Sequence, residues 1–235
     1  MSSFAATANT NSTIGYAQYG STSWSVGTSN GACQGAYQGT SASASRVGVM
    51  VFNNAGATLK GKVITKIVFS ITCSGAGSGS SSKKLTFHKA LYQSLKTGIK
   101  GSAQVGDTLG TLTGKFYSNT ASHTLNDTTN TAFFNALKAY LVAGNSVLVL
   151  YNGETSSSSG YSTNYARVTS ITMTVTYIAA TVWVNVGGTW KQCLVYYCNN
   201  GTWVQCTPYY NSGGTWVSVS GGTNGTGCCH CRGMV

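Results

Sequence analysis

The densest reactive chemistry in the chain lies at its end, where Cys228, Cys229, His230 and Cys231 are consecutive. Thiolate and imidazole are zinc donors, and Cys228 and Cys231 have the C-x-x-C spacing of half a structural zinc site. Four adjacent residues cannot all reach one tetrahedral ion. A complete site therefore needs a donor from Cys193, Cys198 or Cys206. Disulfide cross-linking, within or between chains, is the second reading of the same residues and requires Cα atoms within about 7 Å. Reduced thiols in a loose tail are the third. Zinc at this cluster is the one cofactor the residues suggest; no other is expected. Cys33 and Cys73 stand alone.

Just before this cluster a phrase recurs: Gly188-Thr189-Trp190, Gly201-Thr202-Trp203 and Gly214-Thr215-Trp216. The tryptophans are 13 residues apart both times. Aligned on them, Trp183, Tyr196 and Tyr209 share one position, and Asn185, Cys198 and Asn211 another. A fixed period announces repeated supersecondary units that bury apolar faces by stacking. Gly187-Gly188, Asn200-Gly201 and Gly213-Gly214 predict two-residue hairpin turns. In the simplest register Val186 pairs with Thr189, Asn185 with Trp190, and Trp183 with Gln192. Trp183, Trp190, Trp203, Trp216, Tyr196 and Tyr209 are thus candidate platforms for sugar rings. The competing reading makes the same rings the core of tiny hairpins, each burying ~150–250 Å². The structural role is the expectation for most of them.

Catalysis finds little to work with. The chain has three acids, Asp107, Asp127 and Glu154, and three histidines, His88, His123 and His230. Glycan hydrolysis commonly needs two carboxylates roughly 5–10 Å apart. All three acids fall in expected loops or caps, and Glu154 reads as a solvated acid in a Ser-rich loop. His88 is expected on an exposed strand face, and no nucleophile motif accompanies any histidine. No catalytic residue is assigned, and the chain is expected not to be an enzyme.

Charged residues make up 7% of the 235 residues, and the formal charge is +11. The cations are scattered, with Lys60, Lys62, Lys66, Lys83 and Lys84 the tightest group. Nucleic-acid binders cluster theirs on one face, so no nucleic-acid partner is expected. Attraction to an anionic cell surface uses the same imbalance better. No window has the ~18 apolar residues of a membrane span, so no membrane insertion is expected. Residues 1–11 lack the charged region and apolar core of a secretory signal. The expectation is synthesis in a cytosol with release by lysis or within a particle.

The elements that position these residues divide the chain into four. Residues 1–45 hold no charged side chain and read as an N-terminal arm, either packed on a partner or flexible. Residues 46–178 read as an antiparallel β-sandwich, most simply a jelly roll. Within them Arg46–Phe52 is apolar on both faces and predicts a central strand. Phe133, Phe134, Leu137, Tyr140 and Leu141 form one helical stripe. Asp127, Thr128 and Asn130 offer N-cap side chains, and Gly144 a stop. Val168–Tyr177 alternates as a half-buried strand. Residues 179–221 carry the three hairpin repeats and 222–235 the Cys-rich tail. The predicted fold class is all-β: a jelly-roll sandwich with one inserted helix, followed by an array of short hairpins.

The succession over Phe133–Tyr177 is amphipathic helix, glycine, apolar strand, polar loop, Tyr161-x-x-x-Tyr165-Ala166-Arg167, then an alternating final strand. It resembles jelly-roll modules in virion proteins of tailed phages, and related sandwiches occur as carbohydrate-binding modules. Trp183–Lys191 (WVNVGGTWK) looks like the aromatic repeats that end many phage tail-fibre and minor structural proteins. The likeness covers about residues 130–218 and brings no catalytic residues. It implies a non-enzymatic virion component: a tail fibre, receptor-binding or head-decoration protein, assembled as a homo-oligomer, a trimer in the first instance. Its expected partners are itself, other virion proteins and a host-surface glycan. The alternative is a bacterial cell-surface lectin or extracellular filament subunit.

Overall fold

The computed structural model describes residues 1–75 and 82–178, Gly188, and the backbone of 182–186, 189–193, 196–199, 202–205, 209–212 and 215–218. Thirteen-residue β11 (Ala166–Ile178) is the axis of one sheet. It pairs on one side with β6 (Val63–Ser74) and on the other with β1 (Ser2–Asn9), and β9 (Thr120–Leu125) lies outside β6. The second sheet runs β3 (Trp24–Val26), β2 (Ile14–Gln18), β5 (Arg46–Val51), β10 (Val147–Leu150), β7 (Lys83–Ala90), β8 (Val105–Gly114). All of these pairings are antiparallel.

The order identifies the fold. Without β2, β3 and the short β4 (Ala32–Gln34), the remaining strands fall as first-eighth-third-sixth in one sheet and second-seventh-fourth-fifth in the other. That is the double Greek key of a jelly roll. The expected fold class is therefore the observed one.

The N-terminal boundary is different. The first jelly-roll strand is β1, so the body begins at Ser2 rather than at Arg46. Residues 1–45 are neither a flexible leader nor an arm reserved for a partner; they supply four strands to this chain's own sheets. On β1 the residues that pack on the core are Phe4, Ala6 and Ala8. Two alanines give a weak apolar alternation, and the outward Thr7 spends its hydroxyl on Thr172 at 2.8 Å. Pairing with β11 supplies what local pattern lacks.

Between the sheets, Phe69 and Phe87 stack at 5.5 Å and Phe133 joins them at 5.2 Å from Phe87. Phe133 comes from α2 (Thr131–Val142), whose stripe Phe133, Phe134, Leu137, Tyr140 and Leu141 is buried as predicted. The helix lies close to β8 because Gly110 has no side chain: a Cβ there would sit 2.4 Å from the Phe133 ring. Capping departs from expectation. Asn130 occupies the cap position in a left-handed conformation, but no side chain caps the helix; its amide donates to Thr124 O instead. Gly144 terminates α2 at φ +98°. A one-turn helix, α1 (Ala55–Leu59), was not foreseen.

β5 is central, between β2 and β10, as its two apolar faces require. Met50 faces the main core, while Val47 and Val49 join Val147 and Val149 in a second cluster under Tyr19, Trp24 and Tyr151. β4 crosses at Gly48, where a Cβ would meet Cys33 N at 2.8 Å. It pairs with β11 through residues 32–34, and its continuation bridges to β5 through Gly35 and Arg46. One short segment thus ties the two sheets along one flank.

The three repeats are three hairpins: β12 (Val182–Val186) with β13 (Thr189–Cys193), β14 (Tyr196–Asn199) with β15 (Thr202–Gln205), and β16 (Tyr209–Ser212) with β17 (Thr215–Ser218). The first has the predicted register, Val186 with Thr189, Asn185 with Trp190 and Trp183 with Gln192. The other two repeat it, Cys198 pairing with Trp203 and Asn211 with Trp216. Among the described residues no helix is long and apolar enough to cross a membrane.

Candidate functional site

The sequence-nominated aromatic residues lie on these hairpin strands at equivalent places. Trp183, Tyr196 and Tyr209 are opposite Gln192, Gln205 and Ser218. Of the cysteines nominated for metal or disulfide chemistry, Cys193 and Cys198 sit on β13 and β14. Cys206, Cys228, Cys229, His230 and Cys231 lie outside the described residues. Among the described residues no three His, Cys, Asp or Glu side chains gather.

A different aromatic cluster appears on the sandwich itself. Beyond β4, residues 36–39 run antiparallel to the loop 156–162. Ser162 N donates to Ala36 O at 2.8 Å, and Ala36 N to Ser162 Oγ at 2.9 Å. Gln38 N donates to Gly160 O and Ser156 N to Gly39 O. Gly35 permits this closeness at φ +76°; a Cβ on it would lie 2.5 Å from Ser162 Oγ. The zipper sets Tyr37 opposite Tyr161. Their rings pack at 4.3 Å with 31° between planes, and both remain exposed, at 39% and 37%.

The row continues inward. Tyr161 meets Tyr165 at 4.6 Å, and the Arg167 guanidinium lies over Tyr165 at 5.8 Å while its Nε donates to Tyr165 Oη at 3.1 Å. Tyr165 is buried, which pushes its phenol up to about 12 and keeps it neutral. Arg46 stands nearby over Tyr16 at 5.3 Å, and Asn30 donates to the Tyr16 hydroxyl.

Buried polar groups hold this arrangement from below. Lys83, 1% exposed, donates to Tyr165 O at 2.6 Å, and its desolvation lowers the ammonium pKa. Gln34 accepts from Thr86 N and donates to Lys84 O and Asn164 O. Asn164 accepts from Lys84 N, and its own N–H and amide are held by Glu154. Glu154 is thus a half-buried loop tie and not the solvated acid expected of a Ser-rich loop: a carboxylate accepting backbone and amide N–H groups fixes a turn.

The other titratable groups are also structural. His88 is half-buried and bridges Gly106 O and Tyr151 O at 2.9 and 3.0 Å, which corrects its expected exposure. Burial lowers the pKa of His123, packed on Phe116 at 5.2 Å. Burial pushes the Cys33 thiol up to about 11 and Cys73 to about 12, so both are protonated, poor nucleophiles at neutral pH. Among the described residues, two of the shallow depressions, of about 250 and 300 Å³, lie elsewhere and have no charged lining. What the Tyr37–Tyr161 end can do is bind: it offers a partly apolar ring surface, hydroxyls and guanidinium donors.

Local sequence does not announce this cluster. Tyr161, Tyr165 and Arg167 were visible as one phrase, but nothing local joins them to Tyr37 or Arg46. No protein-family model matches the chain, and a comparison with curated proteins found no match either.

Proposed function

We propose that this chain is a non-enzymatic structural and binding subunit of a tailed-phage particle, one that contacts host-surface glycan through the jelly roll. The observation that carries the binding role is the Tyr37–Tyr161 pair: two packed rings, both exposed, held by a hydrogen-bonded zipper. Aromatic rings present flat apolar faces with polar hydroxyl edges, which suits the mixed faces of a pyranose. A rigid platform loses little entropy on binding. The charge-poor sequence and the likeness of residues 130–218 to phage virion modules support the setting: a tail fibre, receptor-binding or decoration subunit, assembled as a homotrimer. The Gly-Thr-Trp hairpins would serve contacts to itself and to other virion proteins.

Binding of the purified chain to a glycan array and to host cells, compared with Tyr161→Ala, tests the binding role. Retention that disappears in the variant is the expected result. Equal signals for both proteins refute the platform. Light scattering gives the assembly, and a monomer at micromolar concentration would refute the trimer. Detection of the chain in purified particles tests its place.

A further inference from the structure

Beside the tyrosine platform stand two guanidinium groups with no carboxylate partner among the described residues. Arg167 on β11 is opposite Cys33, and Arg46 on β5 bridges to Gly35. They flank two positions of one segment, and both act electrostatically on the Cys33 thiol and the Tyr165 phenol. Every acid in the chain is placed elsewhere: Asp107 pairs with Lys89 at 2.9 Å, Glu154 holds Asn164, and Asp127 precedes α2. In their place the guanidiniums have tyrosine faces, Tyr16 under Arg46 and Tyr165 under Arg167. Such stacking orients a guanidinium without neutralising it. The Nε of Arg46 is buried with no hydrogen-bond partner among the described residues, so only the outer nitrogens of this guanidinium can meet a ligand. Tyr161 connects the two regions, touching Tyr37 on one side and Tyr165 on the other.

We infer that Arg46 and Arg167 form an anion subsite, and that the saccharide laid on the tyrosine platform is an acidic one bearing a carboxylate. This rests on reading the platform as a saccharide surface. A guanidinium matches a planar carboxylate with two parallel N–H donors, each roughly twice as strong as a neutral hydrogen bond. Partial burial limits screening, and among the described residues no acid competes for the position.

The test measures binding of the native chain to galacturonate, glucuronate and sialyl oligosaccharides, to their carboxyl-reduced counterparts, and to a sulfated galactose oligosaccharide. At least one acidic sugar is expected to bind about tenfold or more tighter than its reduced counterpart, the scale of one charge-assisted hydrogen bond. The preference should shrink at about 0.5 M salt. It should vanish in Arg46→Gln/Arg167→Gln and survive in part in Arg46→Lys/Arg167→Lys. The native comparison needs no substitution, so a misfolded variant does not remove the test. Reduced sugars bound as tightly as acidic ones would overturn the inference and leave the platform standing. Preference for the sulfated sugar would overturn the carboxylate assignment. No binding to any sugar would overturn both readings.

Discussion

Tyr37 and Tyr161 lie opposite each other across an antiparallel bridge, with ring centroids 4.3 Å apart, although one follows β4 and the other precedes β11. Neither strand contains its tyrosine; the pair exists because loop 156–162 folds onto residues 36–39. Removing the Tyr161 ring should therefore affect binding far more than folding. Tyr161→Ala is expected to lower the free energy of unfolding by only about 1 kcal/mol, the scale of an exposed aromatic pair. Denaturant titration beside glycan binding checks this. A loss of several kcal/mol would make the pair structural.

Deletion of residues 1–12 tests the corrected boundary. It removes β1, the first jelly-roll strand, and bares the edge of β11 from Ser170 to Tyr177. The truncated chain should lose cooperative unfolding and aggregate, since an open apolar strand edge invites pairing with other chains. If the chain still melts cooperatively near the native temperature, residues 1–12 are dispensable and the arm reading returns.

Gly31 supplies a sharper probe of the β4 crossing. Its φ is +65°, and a Cβ would lie 2.0 Å from Val168 O. Gly31→Ala adds strain to a clash with backbone, so a destabilisation of about 2–4 kcal/mol is expected. Gly98 also has positive φ, at +78°, but among the described residues nothing lies within 4 Å of a Cβ built on it. Gly98→Ala should cost about 1 kcal/mol. Thermal melts of both variants check the contrast, and equal shifts would contradict the packing at β4.

His123 makes stability depend on acid. Burial lowers its folded pKa below the ordinary 6.5. As pH falls through 6.5 the unfolded chain takes up the proton first, so stability is full above that pH and declines below it. His123→Phe should flatten this limb of the curve between pH 7 and 5. An unchanged slope would assign it to other groups.

The cysteines set the opposite limb. With folded thiols near 11 and 12 against an ordinary 9.0, the unfolded chain loses protons first as pH rises past 9. Stability is kept below pH 9 and declines above it. At pH 8, Cys33 and Cys73 should resist alkylation in the native protein and react on unfolding, as mass spectrometry of the modified peptides would show. Rapid native labelling at either site would contradict its burial.

Local chemistry dictated more of this protein than its polar composition suggests. Five apolar residues at helical spacing wrote α2, and the Gly-Gly and Asn-Gly dipeptides wrote three hairpins with a common register. Valines on one face and Met50 and Phe52 on the other made β5 central, and the alternation after Val168 made β11 a strand. These are signals between near neighbours, where period and turn chemistry act directly. The first strand was another matter, because Phe4, Ala6 and Ala8 carry too little apolar contrast to declare a face until β11 supplies one. Glu154 and His88 likewise read as solvent groups until distant backbone came to hold them. Tertiary structure alone decided the candidate site. Tyr37, Arg46, Tyr161 and Arg167 belong to four segments, and only the crossing of β4 between two sheets brings their rings and charges to one flank. Side-chain period reports which face of its own element a residue occupies; it is silent on which faces will meet.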